Sequence, residues 1–137
     1  MNKPLIRKVD CVQFHVPTIE QGLAFYRDQL GHELVWRTEH AAGLRLPDSD
    51  AEIVIQCERP DPEVDLLVDS ADQAAALIQA AGGEIVVAPF DIQIGRCVVV
   101  KDPFGNILTL LDASKGLLNV DEQGNILGNL PPTSLAE

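Results

Sequence analysis

VPTIEQ, Val16 to Gln21, and VDSADQ, Val68 to Gln73, are two versions of one signal. In each, a strand-forming run ends at a valine, a hydroxyl residue follows (Thr18 or Ser70), and a glutamine stands three positions on (Gln21 or Gln73). That spacing is a capping box, the start of a helix. Before the first box, VDCVQFHV (Val9–Val16) alternates as a strand. After it, a helix is expected to about Leu30, stopped by Gly31, with Ile19, Leu23, Tyr26 and Leu30 as its buried stripe. Strand-like segments follow at Glu33–Thr38, Gly43–Leu46 and Glu52–Glu58. The order then begins again. Glu63–Val68 reads as a strand, the second box opens an Ala-rich helix ending at Gly82-Gly83, and strands follow at Glu84–Val87, Arg96–Lys101 and Asn106–Leu111. After each helix-ending glycine comes Glu-Leu-Val (Glu33–Val35) or Glu-Ile-Val (Glu84–Val86). Each half reads β-α-β-β-β, an internal repeat with a period of about fifty residues.

Composition bounds the function. A chain of 137 residues has room for one compact domain with a real core. A hydrophobic content of 46% fits a globular protein. No apolar run approaches the length of a membrane span, and the basic opening MNKPLIRKVD runs straight into a strand pattern without a signal-peptide core, so a cytoplasmic location is expected. A net charge of −11 argues against nucleic acid as a partner, because a phosphate backbone needs clustered Lys and Arg. It suits cationic ligands. The three cysteines, Cys11, Cys57 and Cys97, are widely spaced and form no C-x-x-C pair, as in a reducing compartment.

The doubled βαβββ module, the helix carrying LAFYRDQLG (Leu23–Gly31) and the closing DPFGN (Asp102–Asn106) resemble the vicinal oxygen chelate superfamily, which includes glyoxalase I, bleomycin resistance proteins and extradiol dioxygenases. The resemblance implies an α+β fold in which two tandem βαβββ modules curl a mixed sheet around a cleft. It implies one domain of this kind, with module one over about residues 9–58, module two over about 62–112, and an extension over 113–137. It also implies a homodimer. Metal-using relatives place ligands on the first and fourth strand of each module. The matching positions here are Cys11, Gln56, Glu63 and Thr109. A thiol, an amide, a single carboxylate and a hydroxyl make a poor cage for a divalent ion. The expectation is therefore no bound cofactor, with a divalent metal as the lesser alternative.

Strand alternation supplies a cleft reading that does not depend on metal. Cys11, Gln13 and His15 share one face, and Val12, Phe14 and Val16 the other. Val54 and Gln56 are expected on the cleft side, with Ile53, Ile55 and Cys57 beneath the helices. Glu63, Asp65 and Leu67 are expected on the cleft side, with Val64, Leu66 and Val68 packed inward. Thr109 lines the same cavity, and Trp36 and Arg96 stand at its rim. Three functions follow. The first is a metal-free binder resembling bleomycin resistance proteins, holding an antibiotic or other small ligand in an acidic cleft. The second is a metal-dependent lyase or isomerase similar to glyoxalase I. The third is a metal-free enzyme using His15 as acid–base or Cys11 as nucleophile. Beyond the repeat, DEQGN (Asp121–Asn125) separates Leu117–Val120 from Ile126–Leu130 and predicts a small hairpin that packs on a module or reaches across a dimer. The alternative is a loosely ordered extension ending in Pro131-Pro132.

Overall fold

A computed structural model describes residues 3–130. Strands β1 (Lys8–His15), β2 (Leu34–Arg37), β3 (Ala41–Arg45) and β4 (Glu52–Gln56) surround helix α1 (Ile19–Leu23) in chain order. Strands β5 (Glu63–Leu67), β6 (Glu84–Asp91), β7 (Arg96–Lys101) and β8 (Ile107–Leu111) do the same around α2 (Ala71–Ala80). A short hairpin, β9 (Leu118–Val120) and β10 (Ile126–Asn129), follows. The fold is α+β, as expected from the repeat.

The chain forms two compact units that track the two modules. The first unit comprises Asp10–Val64 with Asn119–Gly128, and the second is built around Asp65–Leu118. In the first, the strand order is β2-β3-β4-β1, with β1 and β4 parallel and the rest antiparallel. In the second, it is β6-β7-β8-β5, with β5 and β8 parallel. Matched strands occupy matched places, so the repeat read in the sequence is a repeat of topology.

Both helices start where the capping boxes place them. The Thr18 hydroxyl accepts the Gln21 N–H at 3.1 Å, and the Ser70 hydroxyl accepts the Gln73 N–H at 3.1 Å. Each satisfies one of the donors that a helix start leaves without a partner. The first helix then differs from expectation. From Ala24 to Gln29 it widens into a π-helix, and the Leu30 N–H bonds to the Phe25 carbonyl five residues back. The wider turn drifts off the 3.6-residue period. Ile19 and Leu23 are therefore buried, but Leu30 rotates out and is 52% exposed.

Each unit buries one face of its sheet under its own helix. In the first, Val16, Ile19, Leu23, Ala42, Leu44 and Ile55 form the core, with Tyr26, Leu34 and Ile53 against it. In the second, the core is Val68, Ala71, Ala74, Ala75, Val98, Val100 and Leu110, with Leu66, Ile78 and Leu108 alongside. Ile53, Ile55, Leu66 and Val68 thus pack on the helix side as alternation predicts. Val64 does not, because it lies 48% exposed near the start of β5. The predicted hairpin around DEQGN is present. The proposed end at Pro131-Pro132 lies outside the described residues.

Asp112, just beyond β8, ties the second unit together at the start of its helix. It is 3% exposed. One carboxylate oxygen accepts the Ala71 N–H at 2.8 Å. The other accepts the Arg96 N–H at 2.9 Å and the Ser114 N–H and hydroxyl at 3.2 and 2.7 Å. Burial pushes the Asp112 carboxyl up, but these hydrogen bonds outweigh it and hold the group below the usual aspartate range.

Candidate functional site

The candidate site is the face of the first unit's sheet turned away from its helix. This face carries three ranks of residues across the strands. Ala41, Gln56 and His15 form one, and Arg45, Glu52 and Cys11 another. The middle rank runs Trp36, Gly43, Val54, Gln13.

Trp36 reaches this face through a β-bulge. Leu34 pairs with Leu44 and packs on the helix side, yet Trp36, two residues on, pairs with Gly43, with a register shift between them. Plain alternation puts residues two apart on one face, and the extra residue of the bulge separates them. The indole then lies against Gly43. A Cβ built on Gly43 would meet the indole Nε1 at 2.0 Å and Cε2 at 2.5 Å, so only glycine admits this close approach. The indole N–H crosses to β4 and donates to Glu52 Oε1 at 2.9 Å. Trp36, on the edge strand, is thereby held by a glycine beneath it and a carboxylate beside it. Burial raises the Glu52 carboxyl above its usual range. The Trp36 hydrogen bond opposes the shift, the Asp10 charge adds to it, and the Arg45 charge opposes it.

At the far end of the middle rank, Arg59 gathers two of the expected residues. Its Nη2 donates to Gln13 Oε1 at 2.5 Å, and its Nε lies 3.4 Å from Glu63 Oε1. The negative charge expected from Glu63 is therefore shared with a guanidinium. Gln56 is committed to the turn after β4. Its Oε1 accepts the N–H groups of Glu58 and Arg59, both at 2.8 Å, and its Nε2 donates to the Arg59 carbonyl at 2.8 Å. Cys11 is 4% exposed, whereas His15 is exposed.

In the second unit Asp65 is buried and pairs in register with Thr109 across the parallel β5–β8 ladder. Arg96 stands elsewhere. It shares parity with the core residues Val98 and Val100, and its guanidinium binds Asp72 of α2 at 3.2 Å and Asp91 at 3.2 Å. Its parity puts it on the helix side, and those carboxylates hold its guanidinium there.

Glu52, Gly43 and Arg59 are parts of this arrangement that sequence reasoning did not single out. Glu52 shares strand parity with Val54 and Gln56, so alternation had the signal for it. Gly43 and Arg59 had none, since their roles come from a bulge and a turn.

The donor set does not suit the divalent ion of metal-using relatives. Among the described residues no three His, Cys, Asp or Glu side chains gather within reach of one ion. The amide oxygen of Gln56 already accepts two backbone N–H groups.

A family model described as Glyoxalase/Bleomycin resistance protein/Dioxygenase superfamily matches residues 8–110. Proteins named "Putative glyoxylase CFP32", from Mycobacterium bovis and Mycobacterium tuberculosis, are 39% identical over 102 residues, covering 66% of this chain and 38% of theirs. The chain thus spans about two fifths of the length of these curated relatives. Among solved structures, methylmalonyl-CoA epimerase from Mycobacterium tuberculosis matches with a TM-score of 0.68 at 18% identity, over 82% of this chain and 91% of that one. The Mn(II)-bound glyoxalase from Novosphingobium aromaticivorans matches with a TM-score of 0.58 at 16% identity, over 94% of this chain and 43% of that one. At such identities these structures speak for the fold alone.

Proposed function

The chain belongs to the Glyoxalase/Bleomycin resistance protein/Dioxygenase superfamily, and from that premise we propose that it is a small-molecule-binding protein that works without a bound metal. The ligand sits on the open face of the first unit. The observation that carries this reading is the Trp36 indole, laid over Gly43 and held by Glu52. A half-buried ring fixed on a sheet face is a platform on which a planar guest can stack. The Glu52 carboxyl beside the ring suits a guest that donates hydrogen bonds, and the indole suits one that is cationic. The protein acts in the cytoplasm as a homodimer. The edge strand β6 supports pairing, because it exposes Val86, Val87 and Phe90. Light scattering at high micromolar concentration is expected to give the dimer mass, and a monomer mass would contradict it.

The competing reading is a metal-dependent lyase or isomerase, suggested by the Mn(II)-bound glyoxalase that shares the fold. Elemental analysis separates the two. After exposure to zinc, nickel, manganese or iron and desalting, the protein is expected to retain far less than one ion per chain. One ion per chain, removed by a chelator and lost in Glu63→Gln, would establish the metal-dependent reading instead. A metal-free enzyme built on Cys11 is weakened by the burial of that thiol.

A further inference from the structure

We propose that the C-terminal hairpin is the positioning element for Trp36: its turn, Asp121–Asn125, clamps the outer edge of β2 and fixes where the indole lies. The hairpin falls outside residues 8–110, so it is an addition to the part of the chain that matches the family. Strand β2 is the edge strand of its unit. Its Arg37 N–H donates to the Gly124 carbonyl at 2.7 Å, and Arg37 and Asn125 form a parallel bridge. The turn backbone also passes close to the bulge itself. A Cβ at Gly124 would lie 3.3 Å from Leu34 Cδ2 and 3.5 Å from Trp36 Cα, and the φ of Gly124 is +86°.

The bulge needs holding. If the extra residue slipped out of register, Leu34 and Trp36 would fall on the same face, and either the core or the Trp36 seat would be lost. An edge strand has partners on one side only, so the hairpin supplies the missing side. The clamp is stiff because of its own hydrogen bonds. Asp121 Oδ1 accepts the N–H groups of Gln123 and Asn125, both at 2.9 Å, and Oδ2 accepts Asn125 Nδ2 at 3.1 Å. The DPFGN turn of the second unit has the same set. There Asp102 Oδ1 accepts the Phe104 and Asn106 N–H groups at 2.8 and 2.9 Å, and Oδ2 accepts Asn106 Nδ2 at 2.8 Å. That twin turn provides a matched control. The use of Trp36 by a ligand rests on the function proposed above, but the effect of the hairpin on Trp36 does not.

Trp36 is the only tryptophan, so the emission of the full chain reports on it alone. The experiment compares Asp121→Ala, Asp121→Asn and Asp102→Ala with the unmodified protein by acrylamide quenching, emission maximum and amide exchange at Arg37. In Asp121→Ala, quenching is expected to rise about threefold, emission to shift red, and Arg37 exchange to speed about tenfold, as local opening replaces a held edge. Asp121→Asn keeps an acceptor and restores most of the signal. Asp102→Ala leaves all three readouts as in the unmodified chain. Should Asp121→Ala not fold, Asn125→Ala removes only the bond to Asp121 Oδ2 and carries the same comparison. Unchanged quenching and Arg37 exchange in a folded Asp121→Ala or Asn125→Ala would overturn the proposal. So would an equal response in Asp102→Ala.

Discussion

Asp112→Ala is expected to lower folding stability by about 3–5 kcal/mol, because it leaves buried N–H donors unpartnered at about 1–3 kcal/mol each. The donors are the N–H groups of Ala71 and Arg96, with Ser114 partly relieved by solvent. They join the first turn of α2 to the start of β7 and the exit of β8, so no single backbone shift re-satisfies all of them. Chemical denaturation at neutral pH measures the loss. A pH series supplies the sign. The Asp112 carboxyl ionises more readily folded than unfolded, so its stabilisation is fully present above the ordinary aspartate value. It is lost as pH falls through the lowered folded value. The gap between the unmodified protein and Asp112→Asn should therefore narrow in acid and widen toward neutral pH. A loss below about 1 kcal/mol at neutral pH would mean that water replaces the carboxylate without penalty.

Gly43→Ala is expected to expel the indole from its seat. The added methyl would stand 2.0 Å from Nε1, so the ring must move or the strands must part. The cost is about 1–3 kcal/mol, as for other overpacked sites. The larger effect falls on the site: the Trp36–Glu52 hydrogen bond breaks, the emission of the single tryptophan shifts red, and ligand affinity drops at least tenfold. Glu52 then loses the hydrogen bond that favours its charged form, so its carboxyl should ionise at still higher pH. An unshifted emission spectrum in Gly43→Ala would show that the indole does not rest on Gly43.

The fold was legible because the repeat carries its own punctuation. Capping boxes at Thr18 and Ser70 and helix-ending glycines at Gly31 and Gly82 fixed the two helices, and alternation separated the side chains under each helix from those on the other face, although Cys11, Val54, Gln56 and Leu111 on that other face are buried too. The departures have local causes. Leu30 left the core because the helix widened into a π-turn, which no 3.6-residue pattern contains. Trp36 was expected at a rim, and nothing in the sequence marks the bulge between Leu34 and Trp36 that sets which face of the edge strand it takes. Gln56 carries the parity of a cleft residue, yet its amide is consumed by the turn at Glu58 and Arg59. Arg96 was expected at the rim, but it shares parity with the core residues Val98 and Val100, which puts it on the helix side, where it pairs with Asp72 and Asp91. Alternation assigns faces; it does not reveal which polar groups have already been claimed by backbone or by ions.

The central claim is that a ligand binds on the Trp36 face without a metal. It is tested most directly by following Trp36 emission while metal-stripped protein, held in excess chelator, is titrated with a panel of planar organic cations. At least one compound is expected to quench or shift the emission saturably, with the same affinity whether chelator or manganese is present. A saturable response that appears only when manganese is added, and vanishes with chelator, would contradict the account.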